Sequence, residues 1–97
     1  MLYTFYGRID SPNRTKSHEV VLEANRTYIF EMNPSGGSKV DPCMELRDPK
    51  GFEVAADGGT GNSSRIQYQT FEGGRYRIGA GGLDRTTGSY TLTVRRE

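Results

Sequence analysis

Ninety-seven residues, 33% of them hydrophobic and 10% aromatic, suffice for one domain with a single thin core. Thirteen basic against twelve acidic residues leave a formal charge of +1, and apart from Arg95-Arg96 the basic residues are scattered, so nothing in the charge calls for nucleic acid or an anionic membrane as partner. The one cysteine, Cys43, excludes an internal disulfide framework, and the apolar runs are far too short to span a membrane.

The aromatic content separates the chain from disordered sequences and, with 13 glycines, points to a folded, loop-rich domain. Met1 to Tyr6 lacks the basic start and long apolar stretch of a signal peptide, so the chain reads as a cytosolic protein or, the favoured reading, an excised domain carrying an initiator Met.

Leu2 to Ile9 is aromatic and β-branched enough for a strand, closed by Asp10-Ser11-Pro12-Asn13. Aromatics fall on both of its faces, which leaves the inner one open. Arg14 to Ser17 reads as loop, and His18 to Leu22 as a strand with Val20 and Leu22 in phase. After the tight connection Glu23 to Arg26, Thr27 to Met32 alternates cleanly, with Tyr28, Phe30 and Met32 inward and Thr27, Ile29 and Glu31 outward. Asn33 to Ser38 has loop composition.

The stretch Asp41 to Asp57 predicts a β-hairpin around which the chain is organised. Met44 and Leu46 alternate with Cys43, Glu45 and Arg47 before the turn; Phe52, Val54 and Ala56 alternate with Glu53, Ala55 and Asp57 after it. In the turn Asp48-Pro49-Lys50-Gly51, Asp caps, Pro presets φ and Gly suits the exit. Asp57 to Ser64 is the most flexible-looking segment. Arg65 to Phe71, with Ile66 and Tyr68 in phase, turns at Glu72-Gly73-Gly74 into Arg75 to Ala80, with Tyr76 and Ile78 inward. Gly81 to Gly88 reads as loop, and Ser89 to Arg95 closes the chain with Tyr90, Leu92 and Val94 on one face.

Eight short strands with turns at this spacing predict an all-β fold. Single-face alternation calls for two antiparallel sheets that cover each other, a β-sandwich.

The run from His18 to Phe30 resembles the opening of bacterial pre-peptidase C-terminal domains, where a strand, a short turn and a Thr-Tyr strand follow one another. Asp41-Pro42 through Leu46 with Asp48 to Gly51, then Ser64 to Ile66 with Gly74 to Ile78, and finally Thr87 to Val94 resemble the family's later segments in order and spacing, over about residues 17–95. The resemblance implies a single jelly-roll-like β-sandwich domain, without catalytic activity, appended to an exported enzyme, foremost a protease. It would lie outside the cytoplasm or in the periplasm and aid secretion, stability or substrate attachment, with the parent catalytic domain as first partner. Collagen-binding domains of clostridial collagenases share the architecture, so the alternative it implies is a calcium-dependent collagen- or polymer-binding module. The sequence departs from the family where many members carry an Asp-x-Asp pair, here Ser17-His18-Glu19, and where acidic residues follow the hairpin, here Asp57-Gly58-Gly59. Both changes remove oxygen ligands, so no metal site is carried over and no cofactor is expected.

The residues themselves announce no reaction. His18, the only histidine, reads as a surface or loop residue, with neither Cys43 nor any serine singled out as its nucleophile. Asp41, Asp48, Asp57 and Asp84 lie where carboxylates could gather around calcium, but Asp41 and Asp48 precede prolines and suit turn capping. The glycine runs at 58–61 and 79–82 lack the pattern of a phosphate cradle. Asn-x-Ser/Thr triplets stand at Asn13, Asn25 and Asn62, of which the last two suit turns. For ligand contact the N-terminal strand, with Tyr3, Phe5 and Tyr6, is the first candidate. No catalytic, metal-binding or ligand-binding residue is assigned from the sequence.

Overall fold

A computed structural model of the chain describes residues 2–12, 14–59 and 62–97; Asn13, and with it the first glycosylation triplet, lies outside them, as do Thr60 and Gly61 of the first glycine run. The described residues form eight strands, β1 (Tyr3–Ile9), β2 (Lys16–Leu22), β3 (Thr27–Pro34), β4 (Pro42–Arg47), β5 (Glu53–Asp57), β6 (Ser64–Gln69), β7 (Gly74–Gly82) and β8 (Gly88–Arg96), with one 3-10 turn at Leu83–Arg85. Every pairing is antiparallel, in sheets of order β1-β8-β3-β6 and β2-β7-β4-β5. First strand pairs with last, second with seventh, third with sixth and fourth with fifth, the nested pairing of a jelly-roll-like sandwich.

Six of the seven connections therefore pass from one sheet to the other, and only β4–β5 stays within a sheet. Its turn is built as its sequence suggests. Gly51 N–H donates to the Asp48 carbonyl at 2.9 Å with φ +90°, a value that favours glycine, and Asp48 Oδ1 accepts from the N–H of Lys50 at 3.0 Å and of Phe52 at 2.9 Å.

Alternation delivers the core. Tyr28, Phe30 and Met32 of β3 with Tyr90, Leu92 and Val94 of β8 face Val20 and Leu22 of β2, Tyr76 and Ile78 of β7, and Met44 and Leu46 of β4, all buried in one cluster. The inner face of β1, undecided in the sequence, is Tyr3, Phe5, Gly7 and Ile9.

Four expectations need correcting. Arg47 pairs with Glu53 but Leu46 with Ala55, so Val54 is an extra residue on β5 and the face flips there. Ala55 faces the core in place of Ala56, and Phe52, before the strand, is 67% exposed. Ile29, placed outward by alternation, does point outward but is only 4% exposed, because on central β3 it lies between Gln67 and Arg95, whose long side chains can cover it. Gly81 and Gly82, expected in a loop, continue β7 opposite Cys43 and Pro42. A Cβ on Gly82 would run into the Thr86 carbonyl, so the strand can extend here only through glycine. Finally, β2 begins at Lys16 and β3 runs on to Pro34, two residues beyond each predicted limit.

The register makes Leu46 and Tyr90 central, both fully buried. Leu46→Ala and Tyr90→Ala should each cost about 2–5 kcal/mol in denaturant unfolding. A cost below about 0.5 kcal/mol at both positions would contradict the inward register.

Candidate functional site

A sandwich of two open sheets has two open sides, one between edge strands β1 and β2 and one between β5 and β6. The first is shut by an aromatic row. Tyr3 stacks on Phe5 with ring centres 5.8 Å apart, and Phe5 stacks on His18 at 4.5 Å. The Tyr3 hydroxyl also accepts from the edge N–H of Val21 in β2 at 2.9 Å. The aromatics of the N-terminal strand are thus divided: Tyr3 and Phe5 close the sandwich, and only Tyr6, 81% exposed on the outer face, is free to meet a ligand.

His18 is no loop or surface residue. It stands on β2 opposite Ile78, half-buried, its Nε2 2.6 Å from the Tyr90 hydroxyl of the other sheet. With the phenol as donor, the imidazole is neutral, and burial holds its pKa below the usual 6.5. The Tyr90 phenol, desolvated by burial, is pushed up to about 12. Its ring reaches this place because β1 carries Gly7 directly opposite; a Cβ there would collide with the Tyr90 ring. The tie between sheets that the tyrosine makes is thus visible only in the fold.

This geometry separates the imagined catalytic partners. His18 faces the interior of its sheet, whereas Cys43 lies on the other face of that sheet, opposite Gly81. The Cys43 thiol is pushed up by burial and then by Asp41 and Glu45, which keeps it protonated and a poor nucleophile.

The aspartates do not gather. Asp48 caps the β4–β5 turn, at the opposite end of β4 from Asp41. Asp57 closes the second open side: its Oδ2 accepts from Ser64 Oγ at 3.0 Å and Arg65 N–H at 2.7 Å on β6, and the backbone bond from Arg65 leads in holding its pKa low. Asp41 Oδ1 is shielded without a hydrogen-bond partner, and Leu83, next to Asp84, donates to the Asp41 carbonyl at 2.8 Å. Among the described residues no three His, Cys, Asp or Glu side chains converge.

A further feature with capacity for binding was not singled out in the sequence. Between the β4–β5 turn and the β6–β7 turn lies an open cleft of about 550 Å³, lined by Asp48, Val54, Tyr68, Phe71, Glu72 and Tyr76. Phe71 is 83% exposed. Tyr68 and Tyr76 lie with ring centres 6.3 Å apart, and the Tyr76 hydroxyl donates to the Glu72 carbonyl at 2.6 Å, fixing the turn that carries Glu72. Burial, then Tyr68 and the carboxylates of Glu72 and Asp48, push the Tyr76 phenol up to about 12. Phe71, read from the sequence as the end of a strand from Arg65 and left unassigned to either face, lies beyond β6, which stops at Gln69, and so alternation does not place it at the rim.

No protein-family model and no curated protein matches the sequence. Solved structures do match its shape. The pre-peptidase C-terminal domain of collagenase from Bacillus anthracis is similar at TM-score 0.76 and 16% identity, over 98% of this chain and 90% of that one. PliG of Aeromonas hydrophila, a periplasmic lysozyme inhibitor of g-type lysozyme, is similar at TM-score 0.69 and 13% identity, over 96% and 85%. The chain thus has the fold of a pre-peptidase C-terminal domain, as the sequence resemblance implies.

Two tests address the seam. Gly7→Ala should destabilise the domain by about 1–3 kcal/mol, as overpacking does, and Gly7→Ala in a Tyr90→Phe background should cost less because the hydroxyl no longer competes for the space. A neutral Gly7→Ala in urea melts would remove the steric argument. For His18 the folded pKa lies below the unfolded one, so the unfolded chain binds the extra proton. Stability is then full above about pH 6.5 and declines as pH falls from there toward the folded pKa. Urea midpoints between about pH 7.5 and 5 should show this decline in the native chain and lose most of it in His18→Gln. An unchanged pH profile in the variant would assign the decline elsewhere.

Proposed function

We propose that this chain is a non-catalytic accessory domain of an exported enzyme, foremost a protease, that aids secretion, stability or attachment to substrate. The observation that carries the reading is the likeness of shape, over 98% of the chain, to the pre-peptidase C-terminal domain of a collagenase. The family-like segments around Asp41 to Gly51 and Thr87 to Val94 support it from the sequence side. In the two similar structures the same sandwich is part of one hydrolase and an inhibitor of another, so the fold works beside such enzymes. Engagement of His18 with Tyr90 across the core fits a structural role for the one residue best suited to general base work. Among the described residues no helix is long and apolar enough to cross a membrane. A place outside the cytoplasm, beside a parent catalytic domain, follows from this reading.

Attachment is favoured among the three tasks by the exposed aromatics Tyr6, Phe52 and Phe71, since exposed aromatic rings can stack on sugars or prolines. The second reading, a calcium-dependent polymer-binding module, makes the same demand plus a metal. Co-sedimentation of the domain with insoluble collagen, chitin and cellulose, with and without chelator, separates these. Saturable retention insensitive to chelator is the expected result. Loss of retention in chelator would establish the calcium-dependent reading instead, and no retention on any polymer would rule attachment to these substrates out and leave secretion or stability as the task.

A further inference from the structure

The geometry points to the cleft between the β4–β5 and β6–β7 turns as a docking site for an arginine side chain on an extended segment of a partner protein. Three observations select that occupant. The floor is aromatic, with half-buried Tyr68 resting against the buried Tyr76 at 6.3 Å, and Phe71 stands exposed at the rim, so Tyr68 and Phe71 are the rings that a flat or apolar group would meet. Both carboxylates of the lining lack an ion-pair partner, with Asp48 Oδ1 engaged by the turn's own N–H groups. The ion pairs of the described residues use Asp10, Glu19, Glu23, Glu31 and Glu45, and neither Asp48 nor Glu72 has a basic partner. The walls are held in place: Asp48 by its bonds to Lys50 and Phe52 N–H, and the Glu72 backbone by the Tyr76 hydroxyl.

Aromatic faces beside an uncompensated carboxylate attract a cation whose own body is apolar or planar. Guanidinium meets both demands, since it stacks on a ring and pairs with a carboxylate through a fixed fork, whereas ammonium is a compact and strongly hydrated charge. A neutral sugar would use the rings but leave Glu72 without a purpose. Asp48 also lines a second groove, where the surface changes sign with Arg47, Lys50, Arg75 and Arg77. The guanidinium is thereby confined to the Phe71–Glu72 side. This inference goes beyond the accessory-domain reading and does not need it: it concerns what the cleft takes, whatever protein carries the domain.

The test is an NMR titration of the intact 97-residue chain with acetyl-Ala-Ala-Arg-Ala-Ala-amide, its citrulline counterpart, which keeps the shape without the charge, and its glutamate counterpart. The arginine peptide should give saturable shifts at Asp48 and residues 68–76, roughly three- to tenfold tighter than citrulline, with no binding of glutamate and weakening by salt. Phe71→Ala and Glu72→Gln should each remove most of that preference while the urea midpoint holds, since Phe71 is largely exposed and the Glu72 carbonyl that Tyr76 uses remains. Equal affinity for arginine and citrulline, shifts centred elsewhere, or no saturable shift up to the solubility of the peptide would each overturn the proposal. So would concentration-dependent self-association abolished by Phe71→Ala, which would assign the face to a second copy of the chain. Retention on insoluble polymers is a separate reading and can stand when the arginine preference fails.

Discussion

The hydrogen bond between Tyr90 on one sheet and His18 on the other is the contact on which the arrangement of this sandwich turns. The core of a sandwich is filled by interdigitating side chains of two sheets, and a tyrosine is buried there without a large desolvation cost only if its hydroxyl finds a partner. Tyr28 and Tyr76 meet the same demand with backbone groups, the N–H of Glu23 and the carbonyl of Glu72. Tyr90 alone reaches a side chain, and it does so through the slot that Gly7 leaves beneath its ring. The neutral imidazole that results is stacked on Phe5, so one contact couples two sheets, an edge strand and a titratable group.

Closure of the two open sides follows the same economy. Between β1 and β2 the Tyr3 hydroxyl satisfies the edge amide of Val21, and between β5 and β6 the Asp57 carboxylate satisfies Ser64 and the amide of Arg65. Side chains cover exposed strand edges that would otherwise invite pairing with other chains. Thr70 does comparable work at the β2–β3 turn, its buried hydroxyl donating to the Glu23 carbonyl at 2.6 Å and accepting from the Arg26 N–H at 3.2 Å. That anchor lets Asn25 sit at φ +58°, a conformation asparagine tolerates better than most residues. With its sides closed, the sandwich leaves binding to its ends and outer faces, and the cleft beside Phe71 is such an end.

Much of this was legible in the chain. Strict alternation in Tyr28-Phe30-Met32 and Tyr90-Leu92-Val94 names both sheets' central residues, because a period of two has one physical solution when one face is buried. Asp48-Pro49-Lys50-Gly51 specifies its own turn through local bonds that need no partner elsewhere. Residues 17–95 carry enough family-like order to imply the sandwich that the shape comparison then shows.

Position along the chain determined strand number, the inward face of most strands and the one local hairpin, since these depend on neighbours two to four residues apart. Tertiary structure alone decided the rest, because it depends on residues brought together from far along the chain. The bulge at Val54 that turns Ala55 inward answers to the pairing of β4 with β5. Burial of Ile29 on an outer face answers to Gln67 and Arg95 beside it. His18 meets Tyr90 across 72 positions of sequence, and Asp48 joins Tyr68, Phe71 and Glu72 only where two turns meet at one end of the sandwich. A pattern of period two records which way a side chain points, not which distant side chain it meets.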